Sequence, residues 1–276
     1  MLERMGEFFE ARLNGYEEHQ LNCIDSAKEF YPFIAGCLPQ TADPNVLDLG
    51  CGTGLELGYY FEMVPTAKIT GIDLSAGMLA VLRNKFADKS LTLIAGSYFD
   101  VPLDECEFDA AVSVESLHHF TKEEKIPLYE RVLDALKPGG YFILTDYFAD
   151  SDEEEAFRRA ELLRLKKEQG IQDDEFYHYD TPLTVGHEKE ALLSAGFSSV
   201  HVLKNWGATY TLKAERAMEE DRTKRRKELR KFARLYLKVL GIDIDESIFP
   251  DEPVPIYIVD DDGKKLEKVG EIEPDD

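Results

Sequence analysis

Three glycines at alternate positions form the part of this sequence best suited to hold a ligand against the backbone. Residues 46–54 read VLDLGCGTG, so Gly50, Gly52 and Gly54 follow a short apolar run and precede a stretch with helical spacing. Glycines between the end of a strand and the start of a helix let a ligand approach the backbone amides closely. The segment therefore predicts a binding loop at a strand-to-helix junction.

The residues around this loop narrow the chemistry of its ligand. A dinucleotide fingerprint, GxGxxG, would need a small residue at position 55, where the chain has Leu55, and no Gly-Lys-Ser/Thr follows to make a P-loop. Asp48 stands two residues before the first glycine, at the expected end of the strand. A carboxylate there would pair with a cationic amine and repel a pyrophosphate. The loop thus favours a zwitterionic ligand that carries a nucleoside.

A second acid, Asp73, also indicates a ligand that carries a nucleoside. Residues 71–75 read GIDLS, and Asp73 lies 19 residues after Gly54, at the end of the next predicted strand. An acid at this place in a nucleotide-binding sheet accepts hydrogen bonds from ribose hydroxyls. The alternative role for Asp73 is that of a helix N-cap, because a helix is predicted to begin nearby.

Five segments of the chain, in order and spacing, resemble the class I S-adenosylmethionine-dependent methyltransferases. The similarity is to the broad group typified by quinone-biosynthesis and other small-molecule enzymes, and it extends over about residues 45–215. It implies a methyltransferase of EC class 2.1.1, with S-adenosylmethionine as methyl donor and S-adenosylhomocysteine as product. The segments are VLDLGCGTG (46–54), GIDLS (71–75), FDAAVSVESLHHF (108–120), LKPGGYFILTD (136–146) and AGF (195–197).

The resemblance implies roles for individual residues of the cofactor site. Asp48 would lie near the methionine amino group, Asp73 would hold the ribose, and Leu74 and Met78 would flank the adenine. After the third strand the family often has an aspartate that meets the adenine amino group; this chain has Ser97, whose hydroxyl can still hydrogen-bond. The implied cofactor-binding set is Asp48, Gly50, Cys51, Gly52, Gly54, Asp73, Leu74, Met78, Ser97, Tyr98 and Glu115.

Two adjacent histidines at the expected edge of the fourth strand, His118 and His119, are the candidate catalytic residues. A base is needed only if the acceptor must lose a proton, as a hydroxyl or amine does; otherwise the pair would shape the pocket, and both alternatives stay open. Of the two, His119 is expected to face the site. We expect no metal, because no magnesium-binding carboxylate cluster can be assembled around Asp146.

The acceptor pocket is expected to come from the N-terminal helices and from the segment after the fifth strand. Aromatic side chains there suit a flat or amphipathic acceptor, or they pack the lid onto the core. The candidate pocket residues are Tyr16, Tyr147, Phe176, Tyr177, His178 and Tyr179.

Strand and helix patterns alternate through the middle of the chain. This alternation predicts an α/β fold, a Rossmann-like doubly wound sheet of seven strands, mostly parallel with a C-terminal antiparallel hairpin. N-terminal helices are expected over 1–40, the second covering 17–36, and a turn at 138–140. The predicted strands are 45–49, 68–73, 91–96, 108–113, 141–147, 199–205 and 209–214, with a further strand–turn–strand pattern at 254–269.

The domain organisation expected is a helical lid, a core and an extension. The lid covers 1–44, the methyltransferase core covers 45–216 with an inserted lid segment at 150–185, and a basic helix with an acidic C-terminal appendage covers 217–276. Composition changes near the last boundary, since residues 213–238 carry 11 basic and 5 acidic side chains.

Charge and composition limit the partners. The 276 residues include 55 acids and 32 bases, a formal net charge of −23, which disfavours nucleic acid and anionic membranes. No apolar stretch reaches the roughly 18 residues of a membrane span, the charged N-terminus shows no secretory signal, and the four cysteines form no CxxC pair. We expect a cytoplasmic monomer or homodimer that acts on a small-molecule acceptor.

Two other functions stay open. In an RNA or protein methyltransferase, the basic helix 213–238 would dock the macromolecule, although the acidic core disfavours RNA. A non-catalytic S-adenosylmethionine-binding protein is the second, because an intact glycine loop argues for binding and does not establish turnover.

Overall fold

The strands predicted from the sequence pair into one mixed sheet in the computed structural model. They are β1 (Asn45–Leu49), β2 (Lys68–Asp73), β3 (Ser90–Ala95), β4 (Phe108–Val114), β5 (Leu136–Tyr147), β6 (Ser199–Trp206) and β7 (Thr209–Glu215). Their order across the sheet is β3-β2-β1-β4-β5-β7-β6. β7 is antiparallel to both β5 and β6, and the other pairs are parallel. The predicted fold class is therefore confirmed.

The structure describes residues 2–172 and 175–218, together with the backbone of β8 (Val254–Val259) and β9 (Lys265–Ile272). The chain divides after Ala217 into two units. In the second unit β8 and β9 pair antiparallel, where the sequence has its strand–turn–strand pattern. The predicted basic helix lies outside the described residues from position 219 onward.

Three short helices precede the first strand: α1 (Met5–Ala11), α2 (Tyr16–Cys23) and α3 (Ala27–Cys37). The prediction of one helix over 17–36 is wrong, because the chain turns at Ser26, whose φ is +62°. The Ser26 carbonyl then accepts the first backbone hydrogen bonds of α3. As a result α3 packs into the core on its own, whereas α2 buries no side chain fully.

Helices cover both faces of the sheet, and alternate side chains of β1 point into the two hydrophobic cores that result. Val46 points into a core shared with α3, α4 (Leu55–Met63) and α5 (Ala76–Lys85), while Leu47 and Leu49 point into the opposite core. Since strand side chains alternate, Asp48 shares the face of Val46 and of α4.

The second face is covered by two helices that share a buried ion pair. Lys125 of α6 (Lys122–Ala135) donates to Glu188 of α8 (Val185–Ser194) at 2.5 Å, and both side chains are almost wholly buried. The Tyr129 hydroxyl of α6 donates to the other carboxylate oxygen of Glu188. Between β5 and α8 the chain forms α7 (Asp152–Gln169). None of these described helices is both long and apolar enough to cross a bilayer.

The predicted turn at 138–140 lies inside β5, so that prediction is wrong. β5 already pairs with β4 at Leu136, and the register shifts before pairing resumes at Tyr141. Gly139, with φ +78°, absorbs the extra residues in a left-handed conformation that other residues seldom adopt.

Candidate active site

The glycine loop is fixed against the end of β2. The amides of Gly50 and Cys51 both donate to the Ile72 carbonyl, at 2.8 and 3.2 Å. Gly50 has φ +74°, and a Cβ placed on it would lie 2.2 Å from the Ser116 hydroxyl. The position therefore excludes any side chain, and the loop runs close under the residues that follow β4.

Two backbone amides fix the orientation of the Asp73 carboxylate. Its two carboxylate oxygens accept from Gly52 N and from Ser75 N, each at 2.8 Å. The N-cap of α5 is Ser75, whose hydroxyl accepts from Met78 N at 3.1 Å, so the capping role considered for Asp73 is wrong. Burial raises the pKa of Asp73 and the two amides oppose that shift. Each oxygen keeps acceptor capacity for a ligand hydroxyl.

The space over the loop is acidic and apolar. Asp73 and Glu115 supply carboxylates, Leu74 and Met78 supply apolar contacts, and no described residue that lines it is a lysine or arginine. Asp48 lies buried beneath, with its Oδ2 atom lacking a hydrogen-bond partner. These carboxyl and apolar groups fit S-adenosylmethionine, which carries an ammonium, a sulfonium and a ribose, better than they fit a pyrophosphate.

The predicted cofactor residues fall into two groups. Those that line this space are Gly50, Gly52, Asp73, Leu74, Met78, Tyr98 and Glu115. Asp48, Cys51, Gly54 and Ser97 are not part of its wall. Asp48 is buried below the loop, the Cys51 side chain is buried within the loop, and the Ser97 hydroxyl accepts from Phe99 N at 3.1 Å.

The N-terminal helices close over this space. Met5 and Phe9 of α1 and Tyr16 of α2 line it, and its volume is only about 60 Å³. Glu10 of α1 fastens the cover by bonding the Ser75 hydroxyl at 2.5 Å and Gly77 N at 3.2 Å. Ligand pockets usually measure roughly 300–1,000 Å³, so a nucleoside-sized ligand can bind only if these side chains move.

His118 sits between two carboxylates. Its Nδ1 atom lies 2.5 Å from Asp146 and its Nε2 atom lies 3.6 Å from Asp180. Burial would lower the pKa of His118, but Asp146 first, and then Asp180 and Glu115, outweigh it and raise that pKa to about 9. His118 is therefore charged at neutral pH.

His119 is neutral and has a free ring nitrogen. Its Nδ1 atom lies 3.3 Å from both the Tyr179 carbonyl and Asp180 Oδ1. Because these partners only accept, Nδ1 carries the proton and Nε2 carries the lone pair. Nε2 is buried and has no hydrogen-bond partner. Burial, followed by the charge on His118, lowers the pKa of His119 to about 4.

Glu115 occupies a strained position between the two histidines and the glycine loop. Its φ is +49°, unusual for a residue with a side chain, and its amide is held by Thr145 O at 2.9 Å. Burial, with the charge of Asp146, raises the pKa of Glu115 to about 8. Its Oε1 atom is buried without a partner.

A larger cavity of about 800 Å³ adjoins the space over the loop. Of the predicted pocket residues, Tyr16, Tyr147 and His178 line it. Tyr177 instead lies beneath the Arg4 guanidinium, and Tyr179 lines a separate, smaller cavity.

Phe176 packs the lid onto the core, which is the alternative role considered for the aromatic residues. Its ring stacks on Phe99, with centroids 5.4 Å apart, and meets Phe120 edge-on at 5.3 Å.

Asp180 is a candidate site residue that the sequence did not point to. It faces both histidines, and although burial would raise its pKa, the hydrogen bond to His119 and the charge of His118 hold the pKa well below its ordinary value. His118, His119 and Asp180 each offer a possible metal ligand within 4.8 Å of the others. Of these atoms, His119 Nδ1 faces Asp180 Oδ1 at 3.3 Å, whereas His119 Nε2 has no hydrogen-bond partner among the described residues.

Comparison with known proteins identifies the part of the chain from the glycine loop to the start of β5. Residues 46–140 match the model of a methyltransferase domain. These residues form a methyltransferase domain of the class I, S-adenosylmethionine-dependent kind. The match includes the glycine loop, the strand that carries Asp73 and the two histidines.

Relatives of this methyltransferase domain act on different acceptors. The fatty-acid O-methyltransferase of Mycolicibacterium smegmatis is 33% identical over 37% of this chain and 36% of its own length. The first curated relatives are matched over only 27% to 36% of their lengths.

Solved structures share the fold of this methyltransferase domain at low sequence identity. One from Nostoc punctiforme has a TM-score of 0.58 and 20% identity, over 77% of this chain and 62% of its own. Human N-acetylserotonin methyltransferase, solved with S-adenosylmethionine, has a TM-score of 0.53 and 18% identity, over 77% and 55%.

Proposed function

We propose that this protein transfers a methyl group from S-adenosylmethionine to a small-molecule acceptor. The space over the glycine loop would hold the methyl donor and the cavity of about 800 Å³ would hold the acceptor. The four residues that line both spaces carry the proposal: Phe9, Tyr16, Glu115 and His119. The methyl group would cross at this junction.

Bound S-adenosylmethionine would supply an activated methyl group on a positively charged sulfur. Much of the rate then comes from aligning the acceptor atom with the carbon–sulfur bond. We assign to His119 Nε2 the removal of a proton from a hydroxyl or amine acceptor, because this atom has no hydrogen-bond partner and His119 lines both spaces. Asp180 and the Tyr179 carbonyl fix the ring so that Nε2 is the basic nitrogen.

Charge at the junction also favours a cationic donor. Asp146 and Asp180, whose pKa values are both lowered, carry two negative charges beside the single positive charge of His118. The rings of Phe9 and Tyr16 enclose the junction from the lid side. Together these groups would attract a sulfonium and exclude water from the transfer.

Calorimetric titration with S-adenosylmethionine and S-adenosylhomocysteine tests the first half of the proposal. Micromolar binding of both is expected, and a folded protein that binds neither would refute it. A screen of hydroxylated, aminated and thiol metabolites, with release of S-adenosylhomocysteine as the readout, tests the second half. Binding without turnover on any acceptor would favour the non-catalytic alternative.

A further inference from the structure

One nitrogen of the His118 ring is left for a ligand. His118 lines the cavity of about 800 Å³, whereas the described residues around the space over the glycine loop include His119 and not His118. The Nδ1 atom of His118 is occupied, because it lies 2.5 Å from Asp146 Oδ1. Asp146 also accepts from the backbone amides of Leu117 and Tyr147, at 2.9 and 3.0 Å. The carboxylate therefore acts as an acceptor, and Nδ1 is the donor in this contact.

The other nitrogen of His118, Nε2, keeps donor capacity. It lies 3.6 Å from Asp180 Oδ1, which is longer than a hydrogen bond. A lone pair on Nε2 would face that carboxylate oxygen unfavourably, so Nε2 carries a proton, in agreement with the raised pKa of His118. Asp180 is held in place, because its Oδ1 atom lies 3.3 Å from His119 Nδ1 and the next residue, Thr181, donates to the His118 carbonyl at 2.8 Å. The donor is thus available to a molecule in the cavity.

The adjacent ring offers the opposite function. His119 Nε2 has no hydrogen-bond partner among the described residues and carries the lone pair of that ring. The centroids of the two imidazole rings are 4.0 Å apart, and their planes are inclined by 57°. One short turn, Leu117–His119, therefore holds a donor and an acceptor side by side. A ligand that meets both must carry an acceptor atom close to a donor group.

Charge and shape around the two histidines narrow this ligand further. Asp146 and Asp180 place two carboxylates around the single imidazolium of His118, so a further anion is disfavoured. The rings of Tyr147 and His178 flank the pair, with centroids 4.5 Å from that of His118 and 5.0 Å from that of the neighbouring histidine. Aromatic walls suit a flat group. The acceptor atom that fits is therefore a neutral carbonyl oxygen on a flat group.

We propose that His118 Nε2 donates a hydrogen bond to a carbonyl oxygen of the methyl acceptor, next to the hydroxyl or amine that faces His119 Nε2. The inference rests on the proposed function and narrows its substrate class to neutral acceptors with a carbonyl group beside the nucleophile. Aromatic amides and ketones with an ortho hydroxyl or amine belong to this class. His118 is then a residue that binds the acceptor, and the base is His119.

Two isomeric amides test the contact in the protein saturated with S-adenosylhomocysteine. Salicylamide carries its hydroxyl beside the carboxamide, whereas 4-hydroxybenzamide carries it on the far side of the ring, so only salicylamide can meet both nitrogens. Calorimetry at neutral pH is expected to give about 10- to 100-fold tighter binding for salicylamide, the usual range for a hydrogen bond to a charged group. Equal affinities, or no binding of either amide, would overturn the inference.

Substitutions of His118 separate a lost donor from a disturbed fold. His118→Asn keeps an amide that can donate to Asp146 in the place of Nδ1 but has no atom at the position of Nε2, so the preference for salicylamide should disappear. His118→Gln can place its amide nitrogen near the position of Nε2 and should restore part of the preference. His201→Asn removes an exposed histidine of β6 and is the matched control, which should keep the wild-type preference.

Thermal unfolding shows whether each variant is folded. A preference that persists in His118→Asn, or that fails to reappear in His118→Gln, would contradict the role of Nε2 as donor. If His118→Asn does not fold, the wild-type comparison and His118→Gln still decide.

The outcomes distinguish the inference from the proposed function. If S-adenosylhomocysteine binds and the two amides behave alike, the carbonyl contact is absent and the proposed function stands. If S-adenosylhomocysteine does not bind the folded protein, the proposed function fails, and the two amides are then compared on the protein alone.

Discussion

Adjacent histidines in one short turn acquire opposite protonation states because their neighbours differ. His118 has Asp146 at 2.5 Å from one nitrogen and Asp180 near the other, whereas His119 faces the positive His118 ring, a carbonyl and the single carboxylate of Asp180. Burial penalises both charged forms, and only the carboxylates around His118 overcome it. A charged and a neutral imidazole thus occur side by side, because their environments move the two pKa values in opposite directions.

Histidine NMR titration tests this assignment without any acceptor. The ring of His118 is expected to lose its proton only near pH 9, and that of His119 to gain one only near pH 4. In Asp146→Asn the pKa of His118 should fall towards neutrality, because its nearest carboxylate is gone. Asp150→Asn removes an exposed acid beyond β5 and should leave both titrations unchanged. Two overlapping titrations near pH 6.5 in the wild-type protein would contradict the assignment.

Asp73 is expected to contribute more to affinity than any exposed acid. Asp73→Ala should weaken binding of S-adenosylhomocysteine by about 1–3 kcal/mol, because charge-assisted hydrogen bonds to the ribose are lost. Calorimetry measures the change, and Asp88→Ala, an exposed acid after α5, serves as the control. Unchanged affinity in Asp73→Ala would remove it from the ribose site.

Prediction from sequence worked at the residue scale where a residue lies within a short pattern. Gly50 follows β1 and Asp73 ends β2. Because neighbouring parallel strands end at the same edge of the sheet, the two residues lie close together. Asp180 has no such pattern, because it meets the histidines through a loop more than 60 residues away in the chain.

At the scale of elements, α1 acts as a cover that is fastened at defined points. Glu10 ties it to the start of α5, and the backbone of Glu3 ties it to His178 in the segment after α7. Short helices with few buried side chains are the elements that open first. Since the covered space is far smaller than a nucleoside, opening of α1 should control ligand exchange.

Glu10→Ala is expected to speed exchange of S-adenosylhomocysteine several-fold. The substitution removes two contacts of the cover and leaves the glycine loop intact. Stopped-flow binding gives both rate constants, and Glu7→Ala, an exposed acid on the same helix, is the matched control. Equal dissociation rates in the three proteins would show that α1 does not limit release.

The buried ion pair between α6 and α8 should dominate the docking of these helices. Lys125→Met leaves Glu188 buried without its cation and is expected to lower the free energy of unfolding by about 3–5 kcal/mol. Lys122→Met removes an exposed pair with Glu190 and should cost no more than about 1 kcal/mol. Denaturant unfolding compares the two, and equal losses would contradict the role of burial.

Element prediction succeeded where hydrophobic alternation is long and failed at single backbone conformations. All seven strands of the sheet follow from the pattern, and the central strands read as apolar runs because both of their faces are buried, whereas the edge strand β6 is largely exposed. The break at Ser26 and the passage of β5 through Gly139 each depend on one residue with positive φ. A glycine or serine in the sequence does not indicate whether its φ is positive, so sequence alone could not place these features.

At the scale of the whole molecule, charged residues are distributed unevenly along the chain. The formal net charge is −23, yet residues 213–238 are basic. Every residue assigned to the site lies before Ala217, where the first unit ends. If the basic segment docked RNA, the full chain would bind RNA with a steep salt dependence that a chain ending at 217 would lack.

The boundary at Ala217 predicts a difference between two truncations. Arg216 is buried, and its guanidinium donates to the carbonyls of Leu133 and Asp134 at 2.7 and 3.0 Å, while its amide donates to Gly140 O at 2.8 Å. Residues 1–217 should therefore fold and bind S-adenosylhomocysteine with the affinity of the full chain.

Residues 1–215 should unfold at lower temperature, because the end of α6 and the start of β5 lose these donors. Thermal unfolding measures the stability of the two fragments, and calorimetry measures their affinity for S-adenosylhomocysteine. Equal stability would show that Arg216 is dispensable, and an unfolded 1–217 fragment would place the domain boundary further along the chain.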